Sequence, residues 1–251
     1  MPRIAVFDSG LGSLSIIKPI QKKIKTEIIY FADQDNFPYG TKSISELRKV
    51  IKSTIRKLEE KFEPDLIVVA SNTPSLLLNL KKQSKILWVY PPLEDAAGKT
   101  ITNSIAILAT KSVVESKKLQ NHIKKQVPKG IRVIKINISP LVELVESGKF
   151  ISKKEFCKKK IRDVLQQIQK EEVDVVTLSS THLPFLLPML KKTFPSVTFL
   201  DPADAIADKI AILLKNKKSS GHKLKIFASG DIKDFQEKLQ KLGIRNKVFQ
   251  L

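Results

Sequence analysis

The chain has 251 residues, 42% of them hydrophobic, and a formal net charge of +20 from 45 Lys and Arg against 25 Asp and Glu. That length and apolar share support one substantial core or two smaller ones and exclude a disordered chain. The apolar runs, such as Leu66 to Ala70, stop far short of the roughly 20 residues needed to cross a bilayer, and the single cysteine excludes an internal disulfide or a cysteine-based metal site.

Met1 and Pro2 lead straight into a strand-like IAVF. The charged region, long apolar stretch and cleavage site of a secretory leader are not there, so a cytoplasmic location is expected. From this point short β-branched runs alternate with helical patterns. Strands are predicted near Ile4 to Phe7, Glu27 to Phe31, Asp65 to Ala70, Ile86 to Val89, Ile105 to Ala109, Ile131 to Ile136, Val173 to Leu178, Thr198 to Leu200 and Leu224 to Ala228. That alternation predicts parallel sheets covered by helices.

Between the strands, Ile44, Leu47, Ile51, Leu58 and Phe62 share one helical face, opened by Ser43 as N-cap with Glu46 three residues on. Ser152 with Glu155 predicts a second such capping box. Pro74 falls in the first turn of a helix after Thr73, where a missing N–H costs nothing. Cys157 is in helical phase with Ile161, Val164, Leu165 and Ile168, which predicts a buried packing thiol.

His122, His182 and His222 show no short metal-ligand spacing, so no metal is expected. The lysines cluster at 22 and 23, 117 and 118, 124 and 125, and 158 to 160, without the interleaved aromatics of a single-strand stacking platform. Nucleic-acid binding is therefore not expected as the main function, and the charge reads as solubility.

Two pairs of strand ends match. IAVFDS corresponds to IAILAT, with Asp8 and Ser9 ending one strand and Ala109 and Thr110 the other; DLIVVASNTP corresponds to DVVTLSSTHLP, with Ser71 and Ser180 at the same offset from Asp65 and Asp174. In open parallel sheets ligands sit beyond the carboxyl ends of the strands, where all these polar tips lie. Two facing lobes would present similar groups to opposite faces of one molecule, as inversion of a stereocentre by an acid and a base requires.

At these residues the chain resembles the cofactor-independent aspartate and glutamate racemases, glutamate racemase in particular. The strings AVFDSGLGSLS, YFADQDNFPYGT, ASNTPS and TLSSTHLP, with weaker echoes in SPLVELVE and FLDPADAIA, carry the resemblance along the whole chain. It implies two pseudo-symmetric three-layer α/β lobes with mainly parallel sheets and an interlobe cleft, residues 1–93 with 205–251 forming the first lobe and 94–204 the second. It further implies no cofactor, a small acidic amino acid or dicarboxylate as ligand, no membrane partner, and a homodimer among the open oligomeric states.

Carried over by position, the resemblance places Asp8 and Ser9 near the substrate amino group and gives Pro38, Tyr39 and Gly40 backbone contacts. It gives Asn72, Thr73, Thr110 and Thr181 hydrogen bonds to the carboxylates. Asp8, Glu143 and His182 correspond to the acids and bases that support two catalytic cysteines, and here Ser71 and Ser180 occupy those two positions. A thiol ionises near pKa ~8.5 and a hydroxyl only far above that, more as water does, so an alkoxide costs about 10 kcal/mol more, or about 10⁷ in rate.

Two explanations of the serines compete, a laboratory double substitution and a natural lineage with changed chemistry; Pro74, Ser179 and Leu183, which depart from the family's usual alanine, glycine and tyrosine, favour the second. Three readings stay open: interconversion of L- and D-glutamate by two-base proton transfer at Cα, slowed by the serines; a non-catalytic dicarboxylate-binding sensor; and a related enzyme of altered chemistry, with Ser180 and His182 supported by Asp8 or Glu143.

Overall fold

The computed structural model describes residues 1–78, 80, 83–217 and 219–251. They form two compact units, Met1–Val89 with Ala203–Leu251, and Tyr90–Pro202. The strands in chain order are β1 (Arg3–Asp8), β2 (Glu27–Ala32), β3 (Leu66–Val69), β4 (Ile86–Trp88), β5 (Ser104–Ala109), β6 (Arg132–Asn137), β7 (Val175–Leu178), β8 (Thr198–Leu200), β9 (Lys223–Ala228) and β10 (Val248–Gln250). The protein is α/β, with one parallel sheet in each unit.

The first sheet runs β10-β9-β2-β1-β3-β4 and the second β6-β5-β7-β8. Every residue of β2, β3, β5 and β7 is buried, which is why these strands read as continuous apolar runs: a parallel sheet with helices on its faces leaves no solvent side to alternate toward. The order β2-β1-β3-β4 is repeated by β6-β5-β7-β8, and the register repeats with it. Ile4 faces Leu66 on β3 and Ile105 faces Val175 on β7, so Ser71 and Ser180 each follow their strand at the same offset. The internal repeat is thus a repeat of sheet geometry as well as of sequence.

The helix Ile44–Phe62 is opened by the expected reciprocal box: the Glu46 N–H donates to Ser43 Oγ, and the Ser43 N–H donates to Glu46 Oε2 at 2.9 Å. It buries Leu47, Ile51, Ile55 and Leu58. Full burial of a leucine or isoleucine contributes about 1.5–3 kcal/mol, so a charge at Ile51 would break this packing. Ile44 does not join that face; as the first residue of the helix it stays 42% exposed. Phe62 at the far end packs instead on the ring of Phe227 of β9, with centroids 4.8 Å apart.

Two further local differences have clear causes. Ser152 does not cap, because Gly148, at φ +69, starts the short helix Lys149–Ser152 and places Ser152 inside it. The following helix, Lys154–Leu165, has Lys153 at its N-cap, and Glu155 pairs with Lys158. β10 adds an edge strand to the first sheet that the sequence does not announce, since its three residues carry no pattern of their own. Its Val248 N–H is held by Gln236 Oε1 at 2.8 Å, and the Asn246 amide donates to the Leu224 carbonyl at 3.0 Å. Cys157 is buried, and burial pushes its thiol pKa up. Among the described residues no helix is long and apolar enough to cross a membrane.

Candidate functional site

In the first unit the central strands β1 and β3 end side by side, Phe7 opposite Val69. Just beyond them lie Asp8, Ser9, Ser71, Asn72 and Thr73, all buried. Asp8 Oδ1 accepts from the Ser9 N–H at 2.7 Å, and the Asp8 carbonyl accepts from the Asp33 N–H at 2.8 Å, which ties β1 to the loop after β2. Ser71 is the last extended residue before the helix Asn72–Leu77, where Pro74 sits in the first turn as expected; the Ser71 carbonyl accepts from Ser75 Oγ at 2.9 Å. The Ser71 hydroxyl has no hydrogen-bond partner among the described residues.

Asn72 is 3% exposed, and neither its Oδ1 nor its Nδ2 has a partner among the described residues. A buried amide left unpaired costs about 1–3 kcal/mol per group, so the described residues leave this amide's hydrogen-bonding capacity unused.

The loop after β2 is organised by a residue that the sequence reading did not single out. Asp33 is buried and accepts from Tyr39 Oη at 2.9 Å, from Asn36 Nδ2 at 2.8 Å and from Thr54 Oγ1 at 3.3 Å. Thr54 comes from the helix Ile44–Phe62, so one carboxylate pins Pro38, Tyr39 and Gly40 to the unit's framework. The Tyr39 side chain is thereby committed inward. Burial first, and then the charges of Asp33 and Asp8, push its phenol pKa well above the usual value and keep it a neutral donor. The Pro38 carbonyl is used within the loop, accepting from Thr41 N–H and Oγ1.

In the second unit β5 and β7 end side by side in the same way, Leu108 opposite Leu178. Thr110 is half-buried at the start of the short helix Lys111–Val114, and its carbonyl accepts the Val113 and Val114 N–H groups. Ser179, Ser180, Thr181 and His182 follow β7, all buried. Ser179 turns back, its Oγ 2.9 Å from Thr177 Oγ1. Ser180 Oγ lies 3.3 Å from His182 Nδ1, and His182 Nε2 lies 2.6 Å from Glu146 Oε1.

The carboxylate in this chain of contacts is Glu146, where the sequence reading named Glu143. The helix Ser139–Glu146 buries Leu141, Val142, Leu144 and Val145, which turns Glu143 outward to solvent. Glu146, three residues on, is rotated onto the side facing Leu183–Leu186, and its side chain is 11% exposed. Both glutamates lie in the string SPLVELVE, so burial phase was the signal that separates them. Asp33 likewise lies within YFADQDNFPYGT, without any local feature to mark it. No cluster of metal-ligating side chains is found among the described residues.

Two α/β units that repeat one strand order, each ending its central strands in hydroxyl-bearing side chains, define a duplicated α/β protein with matched polar strand ends. The chain belongs to the Asp/Glu/Hydantoin racemase family, which it matches over residues 9–210. It is 32% identical to glutamate racemase of Actinobacillus pleuropneumoniae over 220 residues, 85% of this chain and 82% of that one. It is 28% identical to glutamate racemase of Prochlorococcus marinus over 248 residues, 94% and 91% of the two chains.

Among solved structures, glutamate racemase of Campylobacter jejuni superposes with a TM-score of 0.75 at 26% identity, covering 98% of this chain and 100% of that one. The Francisella tularensis enzyme, solved with D-glutamate, gives 0.82 at 23% identity, covering 100% and 97%, a likeness of fold alone.

Proposed function

We propose that this chain binds a small acidic amino acid, glutamate first among candidates, and exchanges its Cα proton far more readily than it inverts the centre. The observation that carries this reading is the buried contact chain Ser180, His182, Glu146. With the Nε2 hydrogen donated to Glu146, Nδ1 presents its lone pair toward Ser180. An imidazole ordinarily titrates near neutral pH and a hydroxyl far above it, so in this half-site the imidazole is the competent base.

The Cα proton then passes to His182, directly or by way of the Ser180 hydroxyl, and a solvent-derived proton returns to the same face. Ser71, whose hydroxyl has no partner among the described residues, has no imidazole beside it to act as the equivalent base on the other face. Two-base inversion therefore lacks one of its two groups. In this reading Asn72, Thr73, Thr110 and Thr181 meet the substrate carboxylates, Asp8 and Ser9 its amino group, and no cofactor takes part. The D-glutamate bound to the Francisella enzyme and the likeness to the glutamate racemases of Actinobacillus and Prochlorococcus support glutamate as the first compound to test.

The test is proton-deuterium exchange at Cα of L- and D-glutamate and aspartate, followed by NMR in D₂O, beside the ligand-induced rise in melting temperature. Exchange with little change of configuration is expected. A second reading, a binding protein without chemistry, is favoured by a Ser71 hydroxyl that has no partner among the described residues; it predicts the thermal shift without exchange. If neither enantiomer of either amino acid shifts the melting temperature, the acidic amino acid itself is the wrong ligand.

A further inference from the structure

The helix Lys154–Leu165 turns Cys157, Ile161 and Leu165 into the core of the second unit. Phe156 precedes Cys157 by one position, which rotates it about 100° around the helix and leaves it 52% exposed. It has no ring partner among the described residues, unlike Phe150 and Phe185, which pack with centroids 5.7 Å apart. One exposed aromatic is ordinary on a protein surface; this one is set among cations.

Residues three and four apart on a helix are neighbours, so Lys159 and Lys160 lie one turn beyond Phe156, while Lys153 stands at the N-cap, three residues before it. Lys153 and Lys159 are exposed and Lys160 is half-buried. The helix Leu187–Thr193 packs against this one and adds the exposed Lys191 and Lys192. The two helices converge at Glu155. Its carboxyl is held below the usual value by a hydrogen bond from Lys158 first, and then by the charges of Lys158, Arg162 and Lys192. With Lys149 and Lys153, the two helices carry nine Lys and Arg against two acids, Glu155 and Asp163. Lys158 pairs with Glu155, whereas Lys153, Lys159, Lys160, Lys191 and Lys192 make no ion pair among the described residues.

We propose that this surface docks on an anionic phospholipid bilayer, with the lysines against the headgroups and the Phe156 ring inserted between them. Each lysine near an anionic leaflet adds about fivefold in affinity, and an apolar ring gains by leaving water. Other occupants fit less well. A second copy of the chain would bring two strongly basic faces together, and a nucleic-acid strand asks for successive aromatic platforms where this face holds one ring. The contact is peripheral, since no described helix is long and apolar enough to cross a membrane. It adds a partner that the family resemblance does not imply. The strand-end residues lie outside these helices, so the surface stands or falls separately from the proposed chemistry.

Flotation of the full chain with phosphatidylcholine vesicles containing about 30% phosphatidylglycerol, in about 0.1 M salt, is expected to recover at least about tenfold more protein than pure phosphatidylcholine vesicles. Lys153→Gln, Lys159→Gln and Lys160→Gln combined should weaken binding at least about tenfold, and Phe156→Ser alone at least about threefold, with melting temperatures near the parent's. A control on another basic helix of the same unit, Lys117→Gln with Lys124→Gln and Lys125→Gln, should bind within about twofold of the parent.

Equal recovery on neutral vesicles would overturn the proposal. So would equal losses in the two triple variants, which would reduce the effect to net charge, or a Phe156→Ser chain that binds as the parent does. An oligonucleotide that strips the chain from the vesicles at equal charge concentration would assign the surface to a nucleic acid instead, and polyglutamate that does so would assign it to an acidic protein.

Discussion

His182 Nε2 and Glu146 Oε1 are 2.6 Å apart, in a place where the histidine is 5% exposed and the glutamate side chain 11%. A carboxylate on one ring nitrogen fixes which nitrogen keeps the hydrogen and so leaves the other, Nδ1, aimed at Ser180. Removing the charge should therefore hurt chemistry more than binding. We expect Glu146→Gln to lower the Cα exchange rate by about 10- to 100-fold with ligand affinity changed little, and Glu143→Gln to leave exchange near the parent value. Equal effects of the two variants, read by NMR in D₂O, would remove Glu146 from the mechanism.

Restoring thiols tests the cost of the hydroxyls. Ser180→Cys alone places an acid of pKa near ~8.5 beside His182 and should raise exchange on one face without inversion; Ser71→Cys alone should do little. The double variant should invert glutamate measurably, by circular dichroism of the amino acid. Pro74 and Ser179 lie close enough to displace either group, and a misplacement of about 1 Å can lose a factor of 100. A double variant that binds glutamate yet exchanges no faster than the parent would mean that the strand ends serve another reaction.

Asn72 separates stability from function. Its buried amide is unpaired among the described residues, so replacing it with a residue of similar size and no polar atoms removes a burden on the fold. Asn72→Leu should melt no lower than the parent, while ligand affinity falls by about tenfold or more. Unchanged affinity by calorimetry would show that the amide does not meet the ligand.

Acid should loosen the first unit at Arg3. Glu27 Oε2 accepts from Arg3 Nε at 2.7 Å, its Oε1 lies 2.8 Å from Lys225 Nζ, and Asp65 takes the Arg3 N–H at 2.8 Å together with Lys217. Burial pushes both carboxyl pKa values up. The hydrogen bonds from Lys225 and Arg3 at Glu27, and from Lys217 and Arg3 at Asp65, outweigh that push and hold both below the usual range. A carboxyl held low in the fold stabilises it above the unfolded pKa, near ~4, and that contribution is lost as pH falls through the lower folded value. Glu27→Gln should therefore melt about 2 °C or more below the parent at pH 7, and the gap should close below about pH 4. A gap that persists at pH 3 would assign the loss to packing instead.

The amino-acid sequence by itself determined the strand ladder from β1 to β9, the capping box at Ser43, the buried thiol of Cys157 and the matched polar ends after β1, β3, β5 and β7. All of these are local: an apolar run is buried on both faces wherever a parallel sheet places it, and a serine that accepts an N–H three residues on needs no distant partner. The duplication was legible for the same reason, since equal offsets from equal strands give equal register.

Tertiary structure decided what depends on a second element. Glu143 and Glu146 differ by about 60° around one helix, and only the packing of that helix against Leu183–Leu186 brought Glu146 to His182. Asp33 became the anchor of its loop because Tyr39, Asn36 and Thr54 converge on it from separate stretches of chain. β10 is a strand only because β9 lends it hydrogen bonds.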